Sequence, residues 1–156
     1  MTEVQRAVVV RANEGQTIPI GPSSVRLLSV GGDTAGLSSA EEIKVPAGFA
    51  GPPPHFHEIT NHSWYVTEGE LRLTVEGVSY DLSPGGFVYV PVGASHTFAN
   101  PTSQQAAMVE FTTPGGFDRY LSELAEAFPA GTDIDPETMI EVMARHDTYP
   151  TPDTNT

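Results

Sequence analysis

Short apolar alternations, broken again and again by glycine and proline, constrain the fold of this chain more than any other feature. Leu71, Leu73 and Val75 alternate with Arg72, Thr74 and Glu76, the period of a strand with one buried face. "SVRLLSV" (24–30), "EEIKVPAG" (41–48), "VSYDLSPGG" (78–86), "FVYVPVG" (87–93) and "QAAMVEFTTP" (105–114) read the same way. "WYVTEGELRLTVEG" (64–77) reads as two strands around Glu68-Gly69. With 15 glycines and 14 prolines among 156 residues, many short strands and tight turns predict an all-β antiparallel sandwich or barrel over about 7–113.

The texture changes after "TTPGG". Phe117, Tyr120, Leu121, Leu124 and Phe128 fall on one helical stripe. A second helix is expected at "DPETMIEVMARHD". Asp135 would cap it, Pro136 suits its first position, and Met139, Ile140 and Met143 would form its apolar side. The C-terminal helices are thus expected over about 115–147, with a frayed tail at 148–156. No linker divides the chain, so 1–156 reads as a single domain.

The composition excludes several chemistries. There is no cysteine, so disulfides, thiolate metal sites and cysteine nucleophiles are absent. A formal net charge of −13 argues against nucleic acid or an anionic membrane as partner, because both need a basic face. No apolar run approaches the ~20 residues of a membrane span. The apolar patch Ala7–Val10 is too short for the core of a signal peptide, so the expected location is cytoplasmic.

Any metal would have to sit on imidazole and carboxylate, and the histidines are bunched. Three of the five fall in "HFHEITNH", at His55, His57 and His62. In an extended segment His55 and His57 share a face, about 6–7 Å apart along the strand, a workable bite for one ion. His62 is five residues on, on the wrong face of a continuous strand. If the polar "EITN" forms a loop, the register resets and His62 opens the next strand facing inward. His96 follows the turn-forming Pro91 and Gly93, which could aim it at the same point. His146, in the second helix, has no such company.

The spacing "GGFVYVPVGASHTFAN" places Gly85, Pro91, Gly93, His96 and Asn100 at every position of the second cupin motif, G-x5-P-x-G-x2-H-x3-N. The first motif, G-x5-H-x-H-x3,4-E-x6-G, is matched by His55, His57 and Gly69. Its opening glycine is displaced, with Gly48 one residue early and Phe49 in its place, and its glutamate is replaced by His62. The chain resembles a small single-domain cupin, a β-barrel of the jelly-roll kind. Within that family it resembles the quercetinase-type dioxygenases.

The resemblance implies one divalent transition metal (Fe, Mn, Ni, Cu, Co or Zn) on His55, His57 and His96, with His62 standing in for the carboxylate as fourth ligand. Four ligands on an octahedral ion leave two adjacent positions for substrate, water or dioxygen. Losing the carboxylate also removes a possible base, and Glu58 and Glu110 are the replacements considered. Strand alternation points Glu58 away from His57. Trp64 and Val66 share a face with His62 in a regular strand, and Phe98 shares one with His96. With Phe87 and Tyr89 they suggest an apolar pocket suited to a flat or aromatic small molecule.

Three functions are compatible with this reading. A metal-dependent dioxygenase on an enolic or aromatic substrate is the first. A non-redox cyclase, aromatase or isomerase acting on a polyketide-like molecule is the second. A ligand-binding cupin without catalysis is the third. The segment "AVVVRA" reads as an apolar edge strand, and such an edge needs cover, so a homodimer is expected.

Overall fold

The computed structural model describes residues 6–152, and every structural statement below concerns those residues. Eleven strands and two helices follow in order: β1 (Thr17–Ile20), β2 (Ser23–Ser29), β3 (Ser39–Val45), β4 (His55–Phe56), β5 (Asn61–Glu68), β6 (Leu71–Val75), β7 (Val78–Leu82), β8 (Phe87–Val90), β9 (His96–Ala99), β10 (Ala106–Thr113), α1 (Phe117–Ala127), α2 (Pro136–Met143) and β11 (Tyr149–Pro150). A six-stranded sheet runs β1-β2-β3-β10-β5-β8, and a five-stranded one runs β11-β4-β9-β6-β7. Every pairing is antiparallel. The two sheets face each other as an all-β barrel with helices appended at the C-terminus.

Alternation builds the core between them. Ile43 and Val45 on β3, Trp64 and Val66 on β5, Leu71 and Leu73 on β6 and Met108 on β10 are all buried. On β3, β5 and β6 their neighbours in sequence are more exposed, as period-two strands require; on β10 a register shift between Ala107 and Met108 leaves both buried. Burying each of these side chains contributes roughly 1.5–3 kcal/mol. The turn between β5 and β6 depends on Gly69, whose φ is +65°. A Cβ there would lie 2.6 Å from the Gln105 carbonyl oxygen, so only glycine fits.

The helices close one end of the barrel. Tyr120, Leu121 and Leu124 of α1, with Phe128 just beyond it, are buried along the expected stripe. Asp135 caps α2 by accepting from the Thr138 backbone N–H, and Pro136 sits at its first position.

Three details depart from expectation. The first strand begins at Thr17, not near residue 7. "AVVVRA" forms no strand, and Val8 and Val9 are exposed. On α2 the buried apolar residues are Met139, Val142 and Met143, while Ile140 faces solvent. The start of the expected tail is ordered: Tyr149–Pro150 pairs with β4, Tyr149 opposite Phe56 and Pro150 opposite His55, while 153–156 lie outside the described residues. The two aromatic rings stack with centroids 5.4 Å apart.

Candidate metal centre

The two strands that carry His55 and His96 meet through direct pairing within one sheet. His55 on β4 lies opposite His96 on β9, with ring centroids 4.5 Å apart. His57 follows one residue past β4, its ring 5.2 Å from His55 and 5.0 Å from His96. The backbone holds it there: its carbonyl accepts from the Gly93 N–H at 2.7 Å, in the turn that delivers His96. The ligand nitrogens of His55, His57 and His96 all lie within 4.8 Å of one another. These three buried imidazoles could hold a metal ion.

His62 arrives from the other sheet. Residues 58–60 interrupt the strand, β5 starts at Asn61, and the register reset turns His62 inward to 1% exposure. Its ring stacks on His57 at 4.3 Å and lies 5.4 Å from His96. The structure thus brings all four histidines together. His146 stays outside the group, bonded to Glu123 at 2.5 Å.

The four rings are tethered in the same way, each through Nδ1 to an oxygen. Nδ1 of His55 meets the Pro53 carbonyl at 2.8 Å, Nδ1 of His57 the Asp147 carbonyl at 2.5 Å, and Nδ1 of His96 the Ala94 carbonyl at 2.8 Å. Nδ1 of His62 meets the Glu110 carboxylate at 2.8 Å. A carbonyl or carboxylate oxygen can only accept, so each Nδ1 carries a proton, and in a neutral ring the lone pair is then on Nε2. The Nε2 atoms of His57, His62 and His96 are buried without any hydrogen-bond partner. Such orphans are rare in folded proteins. Several lone pairs aimed into one buried space fit a cation, and each ring has the oxygen partner behind it that metal-binding imidazoles ordinarily have.

Burial tunes the same groups. It pushes His55 down to about 3, helped by repulsion from His96. It pushes His57 down to about 4, helped by His62, and His96 down to about 4. All three are neutral at pH 7, the state a ligand needs.

Behind His62 lies a carboxyl pair. Glu110 on β10 faces inward and is 3% exposed. It accepts from His62 Nδ1 and from the Trp64 indole N–H. Burial raises its pKa, but nearby His62 and the hydrogen bonds from His62, Glu41 and Trp64 outweigh that and hold it at about 2. Glu41 sits opposite Glu110 on the β3–β10 ladder and is fully buried. Burial first, and then the Glu110 charge, raise Glu41 well above the ordinary carboxylate range. As a carboxylate Glu41 would find no donor for either oxygen. Carrying a proton, it becomes a donor to Glu110.

His55, His62 and His96 line a cavity of about 680 Å³, counting its mouth. Phe49, Trp64, Phe98, Phe117, Tyr120 and Leu124 are among its apolar lining. Phe117 sets its edge against the faces of His62 and His57, with centroids 4.7 and 5.9 Å away.

Of the expected pocket residues, Trp64 and Phe98 line this cavity. Val66 is wholly buried in the core without lining it. Phe87 and Tyr89 are 58% and 54% exposed and lie on the outer face of the six-stranded sheet. The reason is register: Phe87 pairs with Tyr65 and Tyr89 with Ser63, and those are outward positions of β5. Of the two candidate bases, Glu58 is exposed and Glu110 is buried beside His62. Sequence reasoning missed Glu41, Phe117 as a ring against the imidazoles, and Asp147. Phe117 had one visible signal, its place at the head of the helical stripe.

A cupin domain is matched over residues 41–112, the stretch from β3 to β10 that carries every histidine of the site. That match takes in 72 of the 156 residues, a little under half of the chain. The chain is 25% identical to quercetin 2,3-dioxygenase of Bacillus subtilis (strain 168) over 120 residues, 77% of this chain and 35% of that protein. It therefore spans about a third of that relative's length. Among solved structures, the polyketide cyclase RemF from Streptomyces resistomycificus superposes with a TM-score of 0.60 at 25% identity, covering 69% of this chain and 80% of that one. KdgF from Halomonas sp. superposes with a TM-score of 0.65 at 19% identity, covering 73% of this chain and 99% of that one, and shares the fold. No helix among the described residues is long and apolar enough to cross a membrane.

Proposed function

We propose that this protein is a metal-dependent cupin dioxygenase acting on an enolic or aromatic small molecule, with one divalent transition metal held by His55, His57, His62 and His96. The observation that carries this reading is the common Nδ1 tethering of the four imidazoles. Each has its Nδ1 tied to an oxygen, three orphaned Nε2 atoms are buried, and His55, His62 and His96 line an apolar cavity. The likeness to quercetin 2,3-dioxygenase over 77% of the chain points to the reaction class.

Fe, Mn, Ni, Cu, Co or Zn bound there would keep its full charge among four neutral ligands, and as a Lewis acid would lower the pKa of an enol or phenol. The chain's own residues divide the remaining work. Glu110 holds His62 and Trp64 in place through their N–H groups. Held at about 2, it takes up almost no proton at neutral pH and is a poor base. Glu58, exposed, takes no part. Trp64, Phe98 and Phe117 exclude water and present flat surfaces to a flat substrate. The protein acts, in this reading, as a cytoplasmic homodimer.

A second reading, a non-redox cyclase or isomerase on a polyketide-like substrate, is favoured by the likeness to RemF, which extends over 80% of that chain. One experiment separates the readings. Metal-reconstituted protein is mixed with flavonols and other planar enols and phenols while dissolved oxygen and product are followed, with and without air. Oxygen uptake matched to ring or C–C cleavage, with both oxygen atoms in the product, is expected. Turnover that continues without air replaces this reading with the cyclase or isomerase. Tight binding without turnover under either condition leaves a ligand-binding cupin.

A further inference from the structure

The site is completed by residues that lie beyond 112, where the cupin match ends. Past α2 the chain turns and passes behind His57. The Asp147 carbonyl receives the His57 Nδ1–H at 2.5 Å, and the buried Thr148 hydroxyl lies 3.3 Å from the same nitrogen. The Asp147 carboxylate does something separate. Its Oδ1 accepts from the Glu58 N–H at 2.9 Å, and its Oδ2 accepts from the Ile59 and Thr60 N–H groups at 3.0 and 2.9 Å and from the Thr60 hydroxyl at 3.0 Å. Three consecutive amides and one hydroxyl thus converge on one carboxylate. These hydrogen bonds hold its pKa below the ordinary value, against the opposing effect of its burial. Beyond it, β11 pairs with β4 beside His55, and the Thr151 N–H donates to the Pro54 carbonyl at 2.9 Å.

Residues 58–60 are the ones that reset the register between His57 and His62. One side chain therefore grips the loop that spaces two imidazoles, while its backbone orients one of them. We infer that Asp147 is a positioning residue for the histidine cluster, fixing the Nδ1–H tautomer of His57 and the spacing of His57 and His62 from outside the barrel. The inference rests on the proposed metal-site reading only for its consequence in metal affinity; the tautomer claim stands without it.

Alanine at 147 retains the carbonyl but frees it from the loop, and the amides of 58–60 lose their common acceptor. Partners that orient metal-binding groups are worth about 10–100-fold in affinity. The test compares the full-length chain with Asp147→Ala and with Thr60→Val, which removes one of the four donors and is the milder change. Co(II) affinity and the visible spectrum of bound Co(II) are measured well below each variant's Tm. Imidazole ¹⁵N shifts of His57 are measured in the metal-free proteins.

For Asp147→Ala the expected result is Co(II) binding about 10–100-fold weaker, an altered Co(II) spectrum, and His57 signals averaged between tautomers. Thr60→Val should move all three the same way, by less. A lower Tm with unchanged Co(II) affinity, spectrum and His57 shifts would show that Asp147 is only a brace for the fold. If the parent chain takes up no Co(II), the metal reading fails by itself, and the His57 shifts still decide the role of Asp147. If Asp147→Ala does not fold, Thr60→Val with parental affinity and shifts overturns the inference.

Discussion

At the scale of single residues, the cost of the site is borne by burial. An imidazole in water titrates near 6.5, whereas His55 is pushed down to about 3 and His57 and His96 to about 4. Between those values the unfolded chain binds protons that the folded chain refuses. By linkage, stability is then fully present above 6.5 and is lost as pH falls toward the folded values. Each histidine can contribute up to about 1.4 kcal/mol per pH unit over that window. Glu41 works in the opposite sense. Burial and the Glu110 charge raise its pKa, so it favours proton release on unfolding. The three histidines outnumber it, and the net expectation for metal-free protein is proton uptake on unfolding below pH 6.5. Denaturant midpoints measured from pH 7.5 to 4.5 should fall steeply below 6.5. A flat profile across that range would mean the imidazoles are hydrated and charged, contrary to the buried cluster. The carboxyl pair also explains how His62 stays inward in place of a carboxylate ligand: Glu110 supplies the negative charge one bond behind it.

At the scale of elements, what the sequence made legible was what local spacing controls. The strands, the reset between His57 and His62, and the turn before His96 all follow from alternation and from glycine and proline positions. Which face of β8 points inward does not. Phe87 and Tyr89 occupy one face and Val88 and Val90 the other, and only the pairing with β5 decides between them. Glu41 and Asp147 were invisible for the same reason, since their partners lie 69 and about 90 residues away in the chain. The cupin motif had a displaced glycine at 48, and a second glycine nearby turns out to be the one without room. Gly51 has φ +90°, and a Cβ on it would lie 1.9 Å from the Phe98 carbonyl oxygen. That oxygen is backbone of β9, which also carries His96, so it cannot simply move aside. Gly51→Ala should therefore destabilise the fold by more than the ~1–3 kcal/mol of backbone strain alone and weaken Co(II) binding along with it. A thermal melt within about 1–2 °C of the parent, an interval set at about 0.5 kcal/mol, would show that the 48–54 loop has freedom the structure does not indicate.

At the scale of the whole molecule, the outer face of the six-stranded sheet bears on how copies of the chain meet. The homodimer was expected from "AVVVRA", but that segment forms no strand. The same sheet offers a better surface. Phe111 on β10, Tyr65 on β5 and Phe87 and Tyr89 on β8 are 45–58% exposed. Cross-strand register places Tyr65 beside Phe87, Ser63 beside Tyr89, and Phe111 beside Ser63. None of these residues carries a formal charge at pH 7, on a chain whose net charge is −13. Two such chains repel, so a symmetric contact is confined to a neutral patch, and β8 is an unpaired sheet edge within it. If this face is where a second copy docks, association should strengthen as salt screens the repulsion, over the range where the Debye length falls from about 30 Å at 0.01 M to about 10 Å at 0.1 M. Light scattering at micromolar concentration should then give a dimer in 0.15 M salt and a shift toward monomer in 0.01 M. Phe87→Glu should give a monomer in both, with unchanged secondary structure. The reverse salt dependence would point to an interface held by opposite charges elsewhere on the surface. A parent chain that is monomeric at every salt concentration would leave this apolar face without a second copy to cover it.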